Sequence, residues 1–154
     1  MPNIEYNNMY KASEECKIHD WVLSFLLDSG NNHKLAKKLS EYSQFHFGPV
    51  NYPISDLINL VGPGKMYHEE QSVLDSRVDA MIDSINNGWK PAPLIVTNIW
   101  NDSLEIADGC HRQMALKKIG ITKYQIIFYF KDQYSLDNFT QEYMQYLEFE
   151  KHAH

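Results

Sequence analysis

The stretch Ala-Asp-Gly-Cys-His-Arg-Gln-Met-Ala at 107–115 constrains this chain more than any other. It lies between a strand-like run at 103–107 and a helix-like run at 113–119 that ends at Gly120. A glycine at a strand-to-helix junction, followed by a donor-rich pair such as His111 and Arg112, gathers backbone N–H groups and cations around an anion. The chain is therefore expected to fold as a scaffold for an anion-binding turn.

With 154 residues and 44% hydrophobic content, the chain can bury one good core, and a single domain is expected. Its 14 basic and 20 acidic residues leave a formal net charge of -6, so the surface as a whole repels phosphate backbones and DNA is disfavoured as a partner. Only Arg77 and Arg112 are arginines among the basic residues. A planar fork for phosphate or carboxylate is one reason to keep them, and ordinary surface charge is the other. Cys16 and Cys110 are too far apart in sequence to suggest a disulfide framework. No basic and apolar leader and no run of membrane-spanning length is visible, so a cytoplasmic protein without a membrane partner is expected.

Apolar spacing predicts an amphipathic helix over 14–29, stopped by Gly30, and a second over 33–42 capped by Asn32. These form an N-terminal helical extension over 1–46. His19, His33 and His46 have no ligand spacing and receive no chemistry. The Pro/Gly-punctuated segment 47–54 reads as extended, and Gly62-Pro63-Gly64-Lys65 as a plain turn, since it lacks the spacing and the Ser/Thr of a phosphate loop. A helix over 72–85 follows, with Asp75 as N-cap and Gly88 as stop. Residues 94–100 and 104–107 read as a strand hairpin, 124–130 as a strand, and Ser135 as the cap of a last helix carrying Leu136, Phe139, Tyr143 and Leu147 on one stripe. The core thus spans 47–130 and the C-terminal helix 131–154.

On the 72–85 helix, Arg77 and Ser84 are seven residues apart with Ala80 between, which sets a cation and a hydroxyl on one face with room for a ligand.

Ser-Val-Leu-Asp at 72–75, the Pro-rich entry to a strand at 91–93, the hairpin, and Asp108-Gly109-Cys110-His111-Arg112 opening a helix that ends in Ile119-Gly120 resemble the superfamily of ParB N-terminal domains, sulfiredoxins and free serine kinases. The resemblance covers roughly 50–130 and implies a small mixed α+β sheet with packed helices around a nucleotide pocket. It implies that Arg77, Ser84, Gly109, Cys110, His111, Arg112 and Gln113 bind ATP or ADP with Mg2+. The His68-Glu69 pair and Asp108 match the positions that, in the free serine kinases, activate a substrate hydroxyl and support the metal-nucleotide. The Gly-Cys-His-Arg pattern is instead that of sulfiredoxins, in which Cys110 would act with ATP in reducing a cysteine sulfinic acid.

Phosphoryl transfer needs a cationic clamp, a divalent ion and a carboxylate to orient or deprotonate the nucleophile. Asp108 and Glu69 fit the last role, although Asp108 also reads as a plain cap of the helix it precedes. Cys110 at a helix N-terminus beside His111 and Arg112 has the setting of a stabilised thiolate, or is simply a small side chain in a tolerant slot. The expectation is a phosphotransferase acting on a free amino acid or other small hydroxyl compound. The alternatives are a sulfiredoxin-like reductase using Cys110 and a nucleotide-hydrolysing or nucleotide-binding regulatory module. The partners are a nucleotide and a small acceptor, with a homodimer left open.

Overall fold

The computed structural model describes residues 4–14 and 16–152; the remainder of the two terminal extensions lies outside the described residues. The order of elements is α1 (Ile4–Glu14), α2 (Ile18–Leu27), α3 (His33–Leu39), a 3-10 segment (Ser40–Phe45), β1 (His46–Pro53), α4 (Gln71–Asn86), β2 (Leu94–Thr97), β3 (Glu105–Asp108), α5 (Cys110–Lys118), β4 (Lys123–Tyr129) and α6 (Gln133–His152). The fold is mixed α+β, with one four-stranded sheet in the order β1-β4-β2-β3. β2 runs parallel to β4, and the β1–β4 and β2–β3 pairs are antiparallel.

The two central strands explain why the sheet needs cover on both sides. Successive strand residues point to opposite faces, and Leu94, Ile95, Val96, Ile126, Ile127 and Phe128 are all fully buried. Ile95, Ile127 and Tyr129 pack on one face with Met9, Val22, Leu26, Leu35 and Leu39 of the N-terminal helices. Leu94, Val96, Ile126 and Phe128 pack on the other with Leu116 of α5 and Phe139 and Tyr143 of α6. A strand buried on both faces is apolar throughout rather than alternating, as β2 is.

The N-terminal segment is thus part of the core. It holds three α-helices where the apolar spacing predicts two, because α1 precedes the expected start and the chain breaks before α2 at Cys16, whose φ is 58°. The His19 Nδ1 atom lies 2.6 Å from the fully buried Tyr129 hydroxyl, fastening α2 to the sheet, and burial lowers the His19 pKa with help from the neighbouring His46.

Helix starts also differ from expectation. Glu70 rather than Asp75 occupies the N-cap of α4, and Asp75 sits a turn inside, accepting a hydrogen bond from Gln71 Nε2 at 2.7 Å. At α6 the Asp132 carboxylate, not Ser135, takes the cap role by accepting from the Ser135 N–H at 2.8 Å. Asp132 stands directly before the first helical residue, Gln133, where a cap acceptor reaches the free N–H two or three residues on, whereas Glu70 holds its position without a side-chain hydrogen bond. The α6 stripe is Leu136, Phe139, Tyr143 and Tyr146, while Leu147 is turned to solvent. β2 stops at Thr97, so Trp100 lies beyond the strand and is half exposed. None of the described helices is long and apolar enough to cross a membrane.

Candidate functional site

β3 delivers Asp108 to a tight turn, Gly109 takes φ 111°, and α5 begins at Cys110, so His111 and Arg112 fall in its first turn. This is three residues earlier than the apolar spacing indicates, because Cys110, His111 and Arg112 carry no periodic apolar signal. Gly109 is needed for two reasons. Its φ lies where side chains are strained, and a Cβ there would stand 2.7 Å from Leu94 Cδ2 and 2.9 Å from Arg112 Nη2.

Arg112 lies back across that glycine. Its Nη2 donates to Asp108 Oδ2 at 3.0 Å and to the Pro93 carbonyl at 2.9 Å, its guanidinium carbon sits 5.8 Å from the Phe25 ring centre, and its buried Nε has no partner. Asp108 and Arg112 are both nearly buried, with side chains 13% and 12% exposed. Glu69 closes the other side. Its Oε2 accepts from Arg77 Nη1 at 2.8 Å and its Oε1 lies 2.9 Å from His111 Nε2. The hydrogen bond with His111, aided by the charges of His111 and Arg77, holds the Glu69 carboxyl below its ordinary pKa. Glu70 remains exposed, 3.6 Å from His68, and does not reach this cluster.

The carboxylates of Asp108 and Glu69 and the side chains of Arg77, His111 and Arg112 therefore meet around one turn, each acid engaged by a residue that would otherwise face an anion. Of these, Arg77, Asp108, His111 and Arg112 border a cleft of ≈ 390 Å³ whose lining also includes Gly109, Cys110, Phe25, Gly30, Met81, Trp89 and a further carboxylate, Glu5. A second cavity of ≈ 490 Å³ lies along α4, lined by Ala80, Met81, Ser84, Asn87 and Trp89. Met81 and Trp89 belong to both, so the two cavities adjoin, with Arg77 at one end of the trough and Ser84 at the other.

Two predicted residues stand apart from this pattern. Gln113 is 2% exposed and faces inward: its Nε2 donates to the Ile54 carbonyl at 2.7 Å and its Oε1 accepts from Asn59 Nδ2 at 2.7 Å. Its contacts position the 54–59 segment instead of lining the cleft. Cys110 lines the cleft, but burial pushes its thiol up to about 11, outweighing the favourable Leu60 backbone contact and the charges of Arg112 and Lys65.

Asn59, Trp89 and Phe25 are additions that the sequence pattern does not single out. Asn59 also donates to the Cys110 carbonyl at 3.1 Å, tying the loop to the first turn of α5. Trp89 follows Gly88 as a large aromatic just past a helix stop, which is a usable signal. Phe25 reads from sequence only as part of an apolar helix stripe.

Among the described residues no group of three or more His, Cys, Asp or Glu is arranged to hold a metal. Magnesium bound with a nucleotide takes most of its ligands from phosphate and water and one or two from carboxylates, a donor set that Asp108 in the cleft fits. No family profile, curated protein or solved structure matches the chain.

Proposed function

We propose that this chain is a small phosphotransferase of the ParB/sulfiredoxin type that binds ATP or ADP with magnesium in the trough beside α4. The observation that carries the reading is the adjoining pair of cavities: an end bearing Arg77, His111 and Arg112 beside the carboxylates of Glu5 and Asp108, continuous through Met81 and Trp89 with an end lined by Ala80 and Ser84. Phosphates suit the first end, where N–H groups and cations converge. A base and ribose suit the second, where an indole, a thioether and a hydroxyl line the wall.

Arriving phosphates compete with Asp108 for Arg112 and with Glu69 for Arg77 and His111. Once Arg112 turns away from Asp108 and the Pro93 carbonyl, its Nε, buried here without a partner, becomes one further donor for an anion. Released from Arg112, Asp108 orients an acceptor hydroxyl and takes its proton, while the hydroxyl oxygen bonds to the terminal phosphorus and the bond from that phosphorus to the nucleotide's bridging oxygen breaks. Magnesium, when bound, neutralises charge on the phosphates. Glu69 keeps the clamp cations oriented and, once displaced, faces the same phosphates. The acceptor is a free amino acid or similar small hydroxyl compound.

The reductase alternative needs a thiolate at Cys110, and a thiol pushed up to about 11 is protonated at neutral pH, which weighs toward transfer. Phosphorus NMR of the protein with magnesium and ATP or ADP, against pooled amino acids and small hydroxyl metabolites, tests the reading. A new phosphoester that disappears in Asp108→Asn and persists in Cys110→Ser is the expected result. Free phosphate alone would identify a hydrolase or switch, and full turnover by Asp108→Asn would remove Asp108 from its role.

A further inference from the structure

The N-terminal helices bring one more charge to the cleft. Met9 of α1 is fully buried in the cluster that also holds Ile95 and Ile127 of the sheet, and Tyr6 packs against that cluster. The Lys90 ammonium lies 5.3 Å from the Tyr6 ring centre, which joins the start of α1 to the segment after Trp89. Glu5, the residue before Tyr6, is thereby held half-buried in the cleft wall. An acid in a first turn suits the dipole of its own helix. Here it also borders the space that Arg77, Asp108, His111 and Arg112 border.

The balance of charge in that space decides which anions it admits. Arg112 is paired with Asp108, and Arg77 with Glu69, which also holds His111. Two arginines therefore stand against three carboxylates, Asp108, Glu69 and Glu5, and a protonated His111 brings the sum only to zero. Neither Lys90 nor Lys65, whose Nζ donates to the Asn59 carbonyl at 3.2 Å, lines the cleft. A bare polyphosphate gains little from entering such a space, because its charge meets carboxylates as well as guanidinium groups. The same phosphates joined to a divalent cation carry far less net charge. Their oxygens can then keep to the arginines while the carboxylates balance the metal.

We infer that Glu5 makes the cleft selective for a metal-complexed phosphate group over the free anion, so that α1 sets the form in which a nucleotide enters. The inference rests on the nucleotide reading above. Glu5 acts through its charge at the cleft wall and has no part in the transfer step. Since α1 lies outside the 47–130 core, this selectivity is something the N-terminal helices add to the site.

Calorimetric titration of the whole protein with ADP in EDTA, and with ADP plus magnesium, reads the preference without any turnover. In the wild type, magnesium is expected to tighten ADP binding about tenfold or more. Glu5→Gln keeps the shape of the side chain and removes its charge. It is expected to bind metal-free ADP about threefold to tenfold more tightly, with the magnesium complex no tighter, so that the preference narrows. Glu5→Asp keeps the charge and is expected to retain the wild-type preference. No magnesium preference in the wild type, or one that is unchanged in Glu5→Gln, overturns the inference and leaves nucleotide binding standing. Parallel weakening of both forms in Glu5→Gln overturns it too, because that marks a structural role, as does a Glu5→Asp protein that behaves like Glu5→Gln. If neither form of ADP binds the wild type, the nucleotide reading falls and the Glu5 selectivity falls with it.

Discussion

Replacing Gly109 by alanine tests the geometry of the turn directly. The residue sits at φ 111° and ψ 22°, and holding a side chain there costs about 1–3 kcal/mol. The added Cβ would also stand 2.7 Å from Leu94 Cδ2 and 2.9 Å from Arg112 Nη2. Leu94 is fully buried between sheet and helix and has little space to retreat, so the guanidinium must give way, leaving Asp108 and the Pro93 carbonyl. Overpacking of this kind costs about 1–3 kcal/mol. Together the two effects predict a loss of about 2–6 kcal/mol, a large part of the stability of a typical domain. In urea, with a slope of about 2 kcal/mol per molar, the midpoint should fall by roughly 1–3 M. Gly120 is the internal control: its φ is 89°, but nothing lies within 4 Å of its Cβ position. Gly120→Ala should therefore show only the backbone part. If Gly109→Ala costs no more than Gly120→Ala, the close approach of Leu94 and Arg112 has been misjudged; if neither alters the midpoint, the strain argument fails as well.

Gln113→Ala removes a buried amide from three neighbours, leaving the Ile54 carbonyl and the Asn59 side chain short of partners, and should cost about 2–5 kcal/mol in urea unfolding, with faster amide exchange across 54–59. His19 has a folded pKa below its ordinary 6.5, because burial and the nearby His46 disfavour its charged form. The sign follows: the unfolded chain takes up the proton first, so this stability is present above about pH 6.5 and is lost as pH falls through the lower folded value. Melting temperatures at pH 8, 7, 6 and 5.5 should decline on the acid side in the wild type and decline less in His19→Gln; identical profiles would dissociate His19 from the effect.

Much of the fold follows from local pattern. The runs 94–96 and 126–130 are apolar without alternation, and such runs call for cover on both sides of the sheet. Gly109 after a strand and before His111-Arg112 marks a tight strand-to-helix turn, and Arg77, Ala80 and Ser84 at helical spacing mark one face of α4, because a strand's period of two and a helix's 3.6 are written in the chain itself. The cap positions were harder to read, since Asp75, Glu70, Asp132 and Ser135 all have suitable chemistry and only the course of the preceding loop selects among them. Gln113 illustrates the same difficulty at the site: a polar residue next to a cationic pair reads as a ligand contact until the fold turns it toward Ile54.

What the sequence determined by itself is most of the elements from 47 onward and the chemistry available at the Asp108–Arg112 turn, since both depend on neighbours a few residues apart, whereas α1 carried no readable signal. Tertiary structure alone decided which charges are already spent. Arg112 against Asp108, and Glu69 between Arg77 and His111, are matched by the approach of segments that follow no common period. It also decided that the N-terminal helices close one face of the sheet, contributing Phe25 to the cleft beside Arg112 and α3 to a cavity that shares the 108–111 turn.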